Sequence, residues 1–344
     1  MSVLLFSMRF PILNNNDDCM ISIIIPVYNA EPFLNKCIGS LLAQTFEKWE
    51  AIFVNDGSTD GSSKILREYA QADSRIRIIE KENGGVSSAS NRGLSAARAQ
   101  FISFLDADDY FQPTTLQTLY DAITRYNCGM SCCLMTRIYS NGRAESETSR
   151  FDDGEHPASA ENVFSFEMRA PWAKLFRRDI IDKYRIRFPE GISICEDDVF
   201  VVSYWSHIQR FAMVNEALYN YLQPETSALH RAISGKMTYN AYERTLDVPL
   251  LIYEHIVSYI QDERVLKLWG TILIRYFFYL STWMQSCCHS SSYAEGIRNY
   301  ELSHARVFRQ NIRPLTIHII RAKVYVPYVI KSKIKRLIKI ISKH

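Results

Sequence analysis

Ile21 to Val27 is a nearly continuous apolar run, interrupted by Ser22 and rich in β-branched residues. Continuous rather than alternating hydrophobicity predicts a strand buried on both faces, as in a parallel sheet. Phe33, Leu34, Cys37, Ile38, Leu41 and Leu42 then recur at three- and four-residue spacing, which predicts a helix with Pro32 in its first turn. The same alternation continues with a strand over 50–55, a helix over 62–71, a strand over 76–80, a helix over 86–98 and a strand over 101–105, before Pro113 opens another helix. Four strand–helix repeats in about 100 residues predict a doubly wound α/β sheet, mostly parallel, with helices on both faces. From about 127 to 225 the pattern is less regular and reads as mixed. From about 232 to 300 it is helical and rich in Tyr, Leu and Trp.

Polar clusters interrupt this pattern at regular places. Tyr28-Asn29, Asp56 to Ser62, Asn83 to Gly85 and Asp106 to Asp109 each follow an apolar strand. The carboxyl ends of strands are where open parallel sheets bind ligands. No GxGxxG and no GxxxxGK[ST] occurs, which excludes an ordinary dinucleotide fingerprint and a P-loop.

Charge adds one feature. The formal net charge is +3, yet no Asp or Glu follows Glu301 while eleven Lys or Arg do. The rest of the chain holds 29 basic against 37 acidic residues, so a mildly acidic body carries a basic tail. Within 330–344, Ile330, Ile334, Leu337, Ile338 and Ile341 line one helical face and lysines and Arg336 fill the other. Such a helix suits an anionic membrane surface better than nucleic acid; a packed terminal helix is the structural alternative. The first nineteen residues read as an N-terminal extension, since their apolar run is too short for a signal peptide. No apolar stretch is long enough to span a bilayer. The eight cysteines show no CxxC or zinc spacing and read as buried thiols in a reducing cytoplasm.

The strand ends carry the chemistry. Asp106-Ala107-Asp108 offers hard carboxylate oxygens suited to Mn²⁺ or Mg²⁺, and such an ion commonly bridges substrate phosphates. A turn or helix-cap role is the bland reading, and Asp109 fits a cap equally well. Asp56 can accept hydrogen bonds from a nucleobase or ribose, or serve the tight turn with Gly57. Gly84 and Gly85 allow close backbone approach. Glu196-Asp197-Asp198 lies among Ile192, Ile194, Val199 and Phe200, where acids need a partner or a task. One of them can act as a general base, or the cluster can cap a helix. The histidines show no ligand spacing.

These motifs resemble the family 2 glycosyltransferases of GT-A fold. SIIIPVYN (22–29), FVNDGSTDGS (53–62), NGGVSSASNRG (83–93), FLDADD (104–109) and EDDVF (196–200) match in order and spacing over about 20–200. The resemblance implies a GT-A domain over 20–225; beyond about 225 it is weak, and the pattern itself gives a helical region over 226–305 and a basic tail over 306–344. It implies that Pro26, Tyr28, Asn29 and Asp56 surround the nucleoside, with Gly84 and Asn91 on the phosphate side. Asp106 and Asp108 would hold nucleotide and metal, Asp108 more directly. Asp197 would be the general base of an inverting transfer, with Glu196 orienting it. Trp172 and Lys174 resemble a segment bordering the sugar pocket. The donor implied is a nucleotide-sugar, UDP-linked by resemblance, and the acceptor a glycan or lipid-linked glycan at the inner face of the cell membrane. Ala97-Arg98-Ala99-Gln100 departs from the family's Ala-x-Gly and places that turn in question. No QxxRW follows, which favours single additions over a processive polymerase. A nucleotidyltransferase would need a Gly- and Lys-bearing loop after the first strand, and a silent binding module would lack the acids present here.

Overall fold

The computed structural model describes residues 19–159, 162–163, 169–192, 195–223 and 248–261. The N-terminal extension before Cys19, the basic tail and most of the expected helical region lie outside the described residues.

The first hundred residues of the domain form the expected alternation. β1 (Ile21–Val27), α1 (Glu31–Leu42), β2 (Trp49–Asp56), α2 (Ser62–Ala72), β3 (Ile76–Lys81), α3 (Val86–Ala96) and β4 (Phe101–Phe104) follow in order. They build a parallel half-sheet, β3-β2-β1-β4. Ile21, Ile23, Ile25 and Val27 share one core with Leu34, Ile38 and Leu41 of α1 and with Leu116 and Leu119 of α4 (Thr115–Arg125). Ile24 meets α3 instead: a Cβ added to Gly93 would lie 2.5 Å from its Cγ2. Alternate side chains leave opposite faces of a strand, so helices cover both faces of this sheet.

α3 ends at Ala96, two residues before the end that periodicity predicts, because Ala97 turns into extended backbone. A buried carboxylate organises the turn that lacks the family's glycine. Glu50 accepts the Ser22 hydroxyl at 2.6 Å and the Arg98 N–H at 2.9 Å, while the Ala99 N–H donates to Ser22 Oγ at 3.0 Å. Arg77 closes the arrangement, donating to Glu50 at 2.5 Å and to the Ala96 carbonyl at 3.1 Å. Burial opposes ionisation of Glu50, but the bonds from Ser22, Arg77 and the Arg98 N–H hold its carboxyl below the usual range.

The second half of the sheet is mixed. It comprises β5 (Tyr110–Phe111), β6 (Met130–Tyr139), β7 (Ala144–Ser146), β8 (Gly154–Pro157), β9 (Lys174–Arg177) and β10 (Arg210–Gln223), with α5 (Arg178–Lys183) after β9. β9 inserts between β4 and β6, antiparallel to both, and β6 runs parallel to β10. β5 pairs antiparallel with β10 beyond two register breaks, which lie between Val214 and Ala217 and between Ala217 and Tyr219. Breaks of this kind re-aim side chains along a strand.

The chain divides into two compact units. Among the described residues, the first comprises 19–159, 169–190 and 207–223 and holds all ten strands. The second comprises 162–163, 191–192, 195–206 and 248–261, with α6 (Glu196–Trp205) packed on α7 (Val248–Tyr259). No helix among the described residues is long and apolar enough to cross a membrane. The six described cysteines form no disulfide with one another. Burial pushes the Cys128 thiol to about 11 and Cys133 to about 12, so both stay protonated.

Candidate active site at the strand ends

The carboxyl end of β1 continues into an exposed Tyr28 and into Asn29, which adopts the left-handed conformation at φ 49°. Pro26 is half-buried within β1. The Asn29 N–H donates to Ser58 Oγ at 3.0 Å, and its side-chain oxygen accepts the Thr59 N–H at 2.8 Å. The first two polar clusters are therefore stitched into one surface.

β2 ends at Asp56, which is buried. Its carboxylate accepts the N–H groups of Gly84 at 3.0 Å and Gly85 at 2.8 Å, and the ammonium of Lys81. The Asn83 amide bonds the Asp56 carbonyl at 3.0 Å. Gly85 sits at φ 86°, a conformation that favours glycine. Asp56 thus shapes the turn: Oδ1 takes both Lys81 and the Gly84 N–H, and Oδ2, with the Gly85 N–H alone, keeps a lone pair. Asn91 occupies a different environment. Its amide exchanges two hydrogen bonds with the backbone of Phe188, both at 2.9 Å, and is committed to tying α3 to that segment.

The turn after β4 gathers the acids. Asp106, Asp108 and Asp109 each present a carboxylate oxygen, and the three lie within 4.8 Å of one another. Asp106 and Asp108 are half-buried and Asp109 is 1% exposed. Burial raises the Asp108 carboxyl above its ordinary range. Asp109 is raised further, first by burial and then by the charges of Asp106 and Asp108. Like charges held this close in a poorly hydrated place favour a cation. The oxygen-only donor set fits Mn²⁺ or Mg²⁺.

Trp172 stacks on Tyr219 at 4.9 Å and on Tyr221 at 5.5 Å, and its backbone bridges to Phe104 at the end of β4. Lys174 is fully buried in β9, with Nζ donating to the Trp172 carbonyl at 3.3 Å. Tyr219 and Tyr221 escaped sequence reasoning. Their i, i+2 spacing in LYNYLQ places them on one face of β10, and that alternation was the available signal.

Glu196, Asp197 and Asp198 form the first turn of α6, in the second unit, after Cys195 in the left-handed conformation at φ 63°. Asp198 is buried. The Glu196 residue is half-buried, but its carboxyl is raised to about 7, by burial first and by the charge of Asp198 second. The three acids stand in the first turn, where they complement the helix dipole, while Cys195 occupies the cap position.

Residues 22–185 match the family model for glycosyl transferase family 2. The uncharacterized glycosyltransferase EpsJ of Bacillus subtilis is 36% identical over 216 residues, covering 60% of this chain and 62% of that protein. Glycosyltransferase GlyA of Streptococcus pneumoniae is 30% identical over 215 residues, covering 59% of this chain and 30% of that protein. The match thus spans less than two thirds of either relative. Among solved structures, S. aureus TarS in complex with UDP-GlcNAc superposes with a TM-score of 0.65 at 23% identity, covering 76% of this chain and 73% of that one. With the parallel half-sheet, the acidic turn at the end of β4 and these matches together, residues 22–185 are a glycosyl transferase family 2 domain of GT-A fold.

Proposed function

We propose that this chain transfers a sugar from a nucleoside-diphosphate sugar, a UDP-sugar foremost, to a hydroxyl of a glycan or lipid-linked acceptor in bacterial cell-surface polysaccharide synthesis. The observation that carries the reading is the convergence of Asp106, Asp108 and Asp109 within 4.8 Å at a strand end, on the edge that also bears Tyr28 and Asp56. TarS, bound to UDP-GlcNAc, supports the choice of donor class.

In this reading Tyr28 and Pro26 offer a surface to the base, while Asn29, Asp56 and Gly84 define the nucleoside wall. Asp106 and Asp108 hold Mn²⁺ or Mg²⁺, which when bound neutralises charge growing on the departing diphosphate. Trp172, with Lys174 beneath it in β9, borders the sugar. Asp197 takes the proton from the acceptor hydroxyl, Glu196 orients it, and attack opposite the diphosphate inverts the anomeric carbon. Asn91 serves by fixing α3. The basic face of 330–344 attracts anionic lipid and holds the enzyme on the inner face of the membrane; unchanged fractionation after its deletion would remove this part of the reading.

A donor panel tests the whole. Purified protein with Mn²⁺ or Mg²⁺ and individual nucleotide-sugars is expected to release nucleoside diphosphate from one of them, and chelator is expected to stop it. Absence of both turnover and metal-dependent nucleotide binding across the panel would overturn the proposal.

A further inference from the structure

Asp109 has both carboxylate oxygens engaged inside the first unit. Oδ2 accepts the Tyr219 hydroxyl at 2.6 Å and Oδ1 accepts the Leu222 N–H at 2.7 Å. The same Tyr219 oxygen faces the Asp106 N–H at 3.4 Å, a longer contact within acceptor range. One phenol oxygen therefore touches the first and last residues of the Asp106–Asp109 turn. Tyr219 is itself fully buried, with the Phe111 ring edge-on at 5.8 Å and Trp172 stacked at 4.9 Å. The ring is fixed on two sides, and a fixed ring fixes its hydroxyl.

We infer that Tyr219 is a positioning residue for the acidic turn: it pins Asp109 as an internal anchor and leaves Asp106 and Asp108 to face a divalent cation. The inference rests on the reading of that turn as a cation site. Its physical basis is the division of labour within the triad. Asp109 has two short donors and 1% exposure, whereas Asp106 and Asp108 keep access to solvent. A buried carboxylate that loses a donor must find another partner or move. The carboxylates of Asp106 and Asp108 lie within 4.8 Å, so a cation held by them is one partner that Asp109 could turn to. Freed from Tyr219, Asp109 would crowd the two ligands and alter their geometry.

The test is Mn²⁺ binding to the full chain without donor, followed by loss of the free-ion electron paramagnetic resonance signal. Tyr219→Phe is expected to weaken Mn²⁺ affinity about tenfold, the scale of one hydrogen bond to a buried charge. Asp109→Asn is the second variant, and the Tyr219→Phe change is expected to add nothing on that background. Thermal melts of each variant establish that the fold is retained. Parental affinity in Tyr219→Phe, or equal losses on both backgrounds, would overturn the inference while leaving the cation site standing. A parent chain that binds neither Mn²⁺ nor Mg²⁺ would overturn the cation reading itself, and the inference with it.

Discussion

The carboxylate of Asp56 accepts the N–H of Gly85 at 2.8 Å, which makes the end of β2 and the glycine turn before α3 one rigid piece. Gly84 and Lys81 bond the same carboxylate. Asp56→Ala is therefore expected to do two things: lower stability by about 1–3 kcal/mol through the orphaned N–H groups, and weaken nucleotide binding. Asp56→Asn keeps one acceptor but turns an amide N–H₂ toward backbone donors, so it should be nearly as damaging. Melting curves and UDP calorimetry check both; unchanged melting in Asp56→Ala would show that the loop holds without this tie.

Asp108→Ala is expected to abolish metal-dependent turnover while leaving metal-free stability equal or higher. The reason is electrostatic: Asp108 is disfavoured as an ion by burial, and its charge raises Asp109. Donor hydrolysis assays and melts in chelator measure the two effects. Near-parental turnover would remove Asp108 from the ligand set.

Glu196 gives a pH-dependent prediction. Its folded-state carboxyl lies near 7, above the unfolded value of about 4.5. The folded chain holds this proton where the unfolded chain has released it. The stabilisation is thus complete below about 4.5, falls as pH rises toward 7 and is gone above it. Glu196→Gln should flatten this fall and stabilise the protein by about 2 kcal/mol at pH 8, while reducing transfer. Identical stability–pH curves for the two proteins would refute the assignment.

Glu50 behaves in the opposite sense. Its carboxyl is held below the ordinary range, so its stabilisation is present above the usual glutamate pKa and is lost as pH falls through the lower folded value. Glu50→Gln should weaken the Ala97–Gln100 turn by roughly 1–3 kcal/mol at pH 7 and make acid unfolding shallower. Acid titrations followed by circular dichroism compare the slopes.

Gly93→Ala should destabilise by about 1–3 kcal/mol, because its Cβ would meet Ile24 Cγ2 at 2.5 Å in a packed layer. Pairing it with Ile24→Val, which trims the opposing side chain, should recover part of the loss. No recovery would place the strain elsewhere.

The parallel half of the fold was legible because its signals are local. Continuous apolar runs, helical spacing and turn residues lie within a few positions of one another, and they located β1 to β4 within one or two residues. The acidic turn was legible for the same reason. The other half depends on distant partners. Nothing in KLFR announces that β9 enters between β4 and β6, and two-residue β5 exists only because β10 pairs with it. Asp109 reads as a cap from its neighbours, and its burial comes from Tyr219, 110 residues away. The Ser22–Glu50–Arg98 turn likewise joins three separated segments, so a missing glycine gave no hint of what replaced it.

That long separation also has a temporal side. β1, β2 and β3 find one another across short intervals, and β4 joins β1 once some eighty residues are available. The hydroxyl and N–H that steady Asp109 come from Tyr219 and Leu222, near the end of the strand that completes the sheet. Pairings of high sequence separation form late, because loop closure comes before their reward. On a ribosome, the nascent chain would carry a recognisable half-sheet long before β10, the last of the described strands, gave its acidic turn a final shape.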